Sequence, residues 1–314
     1  MKKRLAKVTL VDILISHRPI QWLKNLVVFA AIIFSRELFI GAKFLPVFYT
    51  FLIFSAASSA IYLINDLVDQ PLDQLHFSKK NRPIAAGRLP SQLVVSSALG
   101  LIVASLIASF YLSGYLFFTL VIYLTIQLMY SFWLKGIILL DVLAIAIAFM
   151  LRIFAGSVVV LTPLSSWLIL TTMMLALFLG VGKRRSELTL LSAQQAGRGI
   201  RKTLLSYPVA LLDGLAFMMA TATLITYSLF TFNSPEFAQK EFFATFFPRT
   251  LSSPKLLMVT IPIVVYGVFR YLYLIFEKSE GESPEKVLIS DRPLFACVIL
   301  WLASVIFILY FFAL

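Results

Sequence analysis

Nine stretches of this chain are long and apolar enough to cross a lipid bilayer, and that feature excludes almost every water-soluble fold. A membrane-spanning helix needs about 20 mostly apolar residues. Windows near 20–40, 44–65, 92–112, 114–134, 138–161, 165–182, 206–231, 256–276 and 293–313 meet that requirement. Composition agrees: only 13% of the residues are charged, against roughly 25% in soluble domains. The patterning predicts an all-α, polytopic membrane protein: a bundle of nine transmembrane helices forming a single domain over 1–314. Polar Ser16, His17 and Arg18 precede the first long apolar run. The first helix is therefore expected to be its own insertion signal rather than a removable one.

A formal net charge of +12 would suit a nucleic-acid partner, but its distribution does not. The basic residues lie in short runs between apolar stretches, the pattern that membrane topology produces, and no nucleic acid is expected as a partner. With the N-terminus placed in the cytoplasm, twenty Lys and Arg fall on the inner side. Five fall outside: Arg36, Lys43, Lys240, Arg249 and Lys255. Nine spans then put the C-terminus outside, and the lack of an organellar presequence suggests a plasma membrane. The polar connectors 66–91, 183–205 and 277–292 face inward, and the aromatic connector 232–255 faces outward. Of the fifteen acidic residues only Glu37, Glu236 and Glu241 fall outside. Asp and Glu contribute little to topology, so their inward crowding points to function. A single cysteine, Cys297, provides neither a disulfide framework nor a thiolate metal site.

The second window ends SSAIYLINDLVDQPLDQ, in which Asn65, Asp66, Asp69 and Asp73 form an N-D-x-x-D-x-x-x-D pattern. At about 100° per residue the three aspartates share one helical stripe, although Pro71 can tilt or end the helix there. Three adjacent carboxylates repel unless something cationic neutralises them. Mg²⁺, a hard ion that shares oxygen ligands with substrate phosphates, answers that need. The competing reading makes them partners of Lys79, Lys80 and Arg82, or solvated loop residues. Ionisable groups at a membrane boundary favour the functional one.

The 65–73 pattern and its following basic loop resemble the first aspartate motif of the UbiA-type intramembrane prenyltransferase superfamily. The resemblance implies a nine-helix UbiA-type bundle with a Mg²⁺-diphosphate site open to the cytoplasm. Aromatic prenyltransferases of that superfamily carry a second aspartate-rich motif after the sixth helix. Here residues 180–188 read GVGKRRSEL, with Lys183, Arg184 and Arg185 in place of carboxylates and Glu187 the one acid. Lys and Arg bind anions directly rather than through metal, so an acidic pole and a basic pole suit two phosphorylated substrates. With RPIQWLKN at 18–25, KKNRPIAAG at 79–87 and PEKVLISDRP at 284–293, the chain resembles the decaprenyl-phosphate phosphoribosyltransferase branch. That resemblance implies transfer of 5-phosphoribose from phosphoribosyl diphosphate to a polyprenyl phosphate. Its metal ligands and catalytic carboxylates would be Asp66, Asp69 and Asp73.

Binding roles then fall to the charged residues of the inner layer. Asn65, Lys79, Arg82, Lys24 and Asn25 are candidates for the phosphoribosyl diphosphate. Lys183, Arg184, Arg185 and Glu187 suit either phosphate, and the basic run serves equally as a topology anchor. Lys135 and Asp141 flank the start of the fifth helix, and Arg152 lies about three turns beyond Asp141 on nearly the same face. A buried arginine costs about 2.5–3.5 kcal/mol on insertion scales and needs a partner. Asp213 is either that partner, the partner of another arginine, or a site residue. Two rival functions stay open: an aromatic prenyltransferase using an allylic polyprenyl diphosphate, and a cation-coupled transporter. The oligomeric state is open too, a homo-oligomer included.

Overall fold

A computed structural model describes residues 9–76, 79–193, 202–233, 255–277 and 283–311, and every regular element within them is helical. The basic N-terminal run, Arg198, Arg201, Lys278 and most of the 232–255 connector lie outside the described residues. The helices are α1 (Leu10–His17), α2 (Ala30–Phe34), α3 (Gly41–Val68), α4 (Gln70–Asp73), α5 (Ser91–Leu112), α6 (Gly114–Phe132) and α7 (Leu140–Val158). They continue as α8 (Ser166–Ala193), α9 (Lys202–Leu205), α10 (Val209–Phe232), α11 (Ile261–Phe276), α12 (Pro284–Ser290) and α13 (Arg292–Phe311).

Eight of the expected spans are present as helices long and apolar enough to cross a membrane, the seventh of them formed by Leu256–Thr260 running into α11. The first window differs. Residues 20–40 do not make one α-helix: Pro19–Phe29 is a 3₁₀ helix of 11 residues, followed by the 5 residues of α2. Rises of roughly 2.0 and 1.5 Å per residue still give that segment about 30 Å of reach. The tight winding has a local cause. At three residues per turn, Trp22, Asn25 and Val28 stand on one face. Trp22 Nε1 donates to Ser59 Oγ at 3.0 Å, and Asn25 Nδ2 donates to Ser55 and Ser58 at 3.1 and 3.2 Å. An α-helix would rotate these three groups apart, leaving buried polar atoms unpaired.

The bundle closes around α3 and α7. Phe54, Leu116, Leu120, Tyr123, Ala148 and Ala155 interlock α3, α6 and α7, while Phe178, Tyr271, Leu274 and Ile275 join α8 to α11. Outward faces carry large apolar side chains such as Leu99, Val103, Ile107 and Phe110 of α5, as expected where the solvent is lipid. Close approach depends on small residues, as is usual between helices in membranes. A Cβ at Gly156 would stand 1.9 Å from the Val28 carbonyl oxygen, so α7 and the 3₁₀ segment touch through a bare backbone. Gly156→Ala is therefore expected to destabilise the protein by about 1–3 kcal/mol. Thermal unfolding of the detergent-solubilised variant measures this, and an unchanged midpoint would contradict the packing.

Candidate active site

α3 ends at Val68, and α4 restarts at Gln70, one residue after the Asp69 cap, with Pro71 in its first turn. Pro suits that position because its missing N–H would have no helical partner there. The break keeps the carboxylates together while redirecting the chain. Asp66, Asp69 and Asp73 are all buried, and Asp69 and Asp73 line a cavity of about 690 Å³ enclosed mainly by α3, α7, α8, α11, α13 and the 3₁₀ segment.

Each carboxylate is neutralised by a cation from another element. Asp66 accepts from Arg18 and, at 3.1 Å, from Arg82 Nη1. Arg82 also reaches Asp73 Oδ2 at 2.7 Å. Lys135 donates to Asp69 Oδ1 at 2.7 Å and to Asn65 Oδ1 at 3.1 Å. Arg18 stacks over the Tyr62 ring. This combines both sequence readings: the aspartates line a site, and they hold basic partners. Among the described residues no three carboxylates, histidines or cysteines are grouped as a metal cage. Asp66 turns to Arg18 and Arg82 and does not line the cavity. Mg²⁺ needs no such cage, since it is usually held by one or two carboxylates with substrate phosphates and water. Asp69, Asp73 and Asn65 present oxygens of that kind to the cavity.

The basic stretch on α8 divides by direction. Lys183 lines the cavity. Arg184 lines it too but is engaged: its Nε forms an ion pair with Asp141 Oδ2 at 2.6 Å, and Nη2 donates to Tyr130 at 3.0 Å. Its Nη1 donates to Glu187 Oε2 at 2.5 Å. Arg185 leaves the site, donating to Asp213 Oδ1 at 2.7 Å and stacking on Phe276. Arg185 thus anchors α8 on α10, with Asp213 as its partner, and does not line the cavity. Asn25 is fully buried, does not line the cavity either, and accepts from Arg152 Nε at 2.6 Å.

Arg152, placed on the same face as Asp141 by the sequence, finds neutral partners instead. Its Nη1 and Nη2 donate to Ala148 O at 2.7 Å and Tyr123 Oη at 2.9 Å, while Asp141 is taken by Arg184 and by the Tyr207 hydroxyl at 2.7 Å. Lys24, Lys79, Arg82 and Glu187 line the cavity. Arg18 and Glu285 were not among the predicted binding residues, although both lie in segments singled out by resemblance. Glu285, on α12, pairs with Lys24 at 3.1 Å and accepts from Gln21. Burial opposes its ionisation, but Lys24 and Lys183 outweigh that and hold its carboxyl below the usual carboxylate range.

The cavity thus joins a charged mouth to an apolar arm lined by Val264 and Gly267 of α11 and Cys297, Val298 and Trp301 of α13. The sequence profile described as the UbiA prenyltransferase family matches residues 26–295. The chain belongs to that family. Among its relatives is the decaprenyl-phosphate phosphoribosyltransferase of Mycobacterium tuberculosis, 33% identical over 292 residues, which are 92% of this chain and 91% of the relative. The protein of the same name from Mycolicibacterium smegmatis is 34% identical over 298 residues, covering 94% and 91%. A solved UbiA homologue from Archaeoglobus fulgidus, bound to GPP and Mg²⁺, superposes with a TM-score of 0.68 at 18% identity, covering 95% and 99% of the two chains. That likeness establishes the fold.

The two aspartates that hold arginines on α8 should differ sharply in weight. Asp141 and Arg184 are almost fully enclosed, whereas the Asp213 side chain is about a third exposed. Asp141→Ala is expected to destabilise the protein by about 3 kcal/mol, because it leaves a buried guanidinium short of a carboxylate. Asp213→Ala should cost about 1 kcal/mol or less. Parallel thermal melts in one detergent compare them, and equal losses would refute the assignment.

Proposed function

We propose that this chain transfers the 5-phosphoribosyl group of phosphoribosyl diphosphate to a polyprenyl phosphate and releases diphosphate. The observation that carries this reading is the single cavity itself. Its mouth offers carboxylate oxygens and cations to a polyanionic, water-soluble donor, and its arm offers an apolar channel to a lipid acceptor. The names of the mycobacterial relatives support the same reading. Lys183, facing the cavity where a metal-binding carboxylate would be expected, suits an acceptor phosphate bound without metal.

The chemistry asks little proton transfer of the protein. The bond from ribose C1 to the diphosphate oxygen breaks, positive charge builds on the ring as in other sugar transfers, and a lipid phosphate oxygen forms the new bond to C1. That nucleophile is already anionic, so no general base is required. Mg²⁺, bound by Asp69 and Asp73 with the substrate diphosphate, would supply charge stabilisation to the leaving group. Arg18, Arg82, Lys79 and Lys135 line the same mouth, and they add preorganised cations where negative charge develops. The bonds of Arg18, Arg82 and Lys135 to the aspartates hold both partners in place until substrate arrives. The apolar walls exclude water that would otherwise hydrolyse the activated donor. The excess of Lys and Arg on one side of the spans supports a mouth that opens at the cytoplasmic face of the plasma membrane.

Purified protein incubated with Mg²⁺, radiolabelled phosphoribosyl diphosphate and a polyprenyl phosphate should move label into the organic phase. No transfer by folded protein, or transfer of the prenyl group from an allylic diphosphate to an aromatic ring instead, would refute the proposal. Asp69→Asn and Asp73→Asn should each lower kcat by about 10²-fold or more, and excess chelator should stop the reaction. Full activity in chelator would remove the metal from the mechanism.

A further inference from the structure

Deepening that reading, we infer that the hydroxyl of Tyr271 is the hydrogen-bond donor that recognises the phosphate of the lipid acceptor. Tyr271 is 4% exposed and lines the cavity, yet its hydroxyl has no hydrogen-bond partner among the described residues. Buried tyrosine hydroxyls are almost always paired, so this one is built for a ligand.

Its surroundings say which. Lys24, Arg152, Lys183 and Glu285 line the same cavity and interact electrostatically with one another, and Glu285 acts on Tyr271. Glu285 is already taken by Lys24 and Gln21, and Arg152 has only neutral partners. With the neighbouring Arg184, Glu187 and Asp141 counted, four cations face three carboxylates, a positive surplus that suits an anionic phosphate. This group is separate from the aspartate cluster, whose cations are Arg18, Arg82 and Lys135. Tyr271 also marks where charge gives way to hydrocarbon. One and two turns back along α11 stand Gly267 and Val264, facing Cys297 and Trp301 of α13. A Cβ at Gly267 would approach Cys297 Sγ to 3.2 Å, so the glycine lets α11 and α13 pack closely beside this arm. The first isoprene units of the lipid occupy this arm, with the phosphate against Tyr271 and Lys183.

The test compares the wild-type chain with Tyr271→Phe, using farnesyl phosphate and farnesol as short probes titrated in detergent. Wild type should prefer the phosphate, and the variant should lose about tenfold of that preference, the worth of a hydrogen bond to a charged group. Because the hydroxyl has no partner to strand, ligand-free Tyr271→Phe should unfold at the wild-type temperature or above. Retained preference, or a clearly lowered unfolding temperature, overturns the inference. Steady-state assays with the full-length lipid separate this from the activity itself. Wild-type transfer with an unchanged lipid KM in Tyr271→Phe overturns the role of Tyr271 alone. Absence of transfer by wild type overturns the proposed reaction, while phosphate-selective binding lost in Tyr271→Phe would still support the subsite.

Discussion

A guanidinium enclosed within a membrane-spanning helix must find oxygen atoms, and the way Arg152 finds them organises the bundle. Its three donors reach Asn25 on the 3₁₀ segment, Tyr123 on α6 and the Ala148 carbonyl of its own helix. Asn25 can serve only because its amide is held in turn by Ser55 and Ser58 of α3. The first segment, α3, α6 and α7 are thereby tied by one satisfied polar network in which each member depends on the others. Since all of the partners are neutral, the network secures the arginine without cancelling its charge. The positive potential is delivered into the cavity.

The mouth of the cavity follows the opposite rule. There every aspartate meets a cation, and the cations come from elements far apart in sequence: Arg18 before the 3₁₀ segment, Arg82 in the loop after α4, Lys135 between α6 and α7. Exchangeable partners of this kind suit a site that must accept a highly charged substrate. Under the proposed reaction, phosphate and metal would replace internal ion pairs, with less desolvation than an empty charged pocket would demand. The contrast with Arg184, enclosed between Asp141, Glu187 and Tyr130, separates charges that hold the fold from charges that meet ligands.

Much of this was legible in the chain. Eight of nine apolar windows are helices long and apolar enough to span, and Asn65, Asp69, Asp73, Lys79, Arg82 and Lys135 all line one cavity. The first window misled because hydropathy reports burial, not winding. It takes the serines of α3 to show why Trp22, Asn25 and Val28 must share a face. Glu285 and Arg18 lay in segments that resemblance had marked, without a spacing that named them. Tyr271 is one of 12 tyrosines, and no local pattern distinguishes it from one that packs against lipid.

The sequence by itself determined that the protein lives in a membrane and gathers its charge at one end of its spans. It also placed a carboxylate stripe where the second window ends. Only the tertiary structure decided which charges face the cavity. Lys183, Arg184 and Arg185 are neighbours in the chain, but each step along a helix turns a side chain by about 100°. The three therefore point into the cavity, into a buried ion pair and toward α10. Composition is the same for all three, and only the packing of α8 against its neighbours separates them.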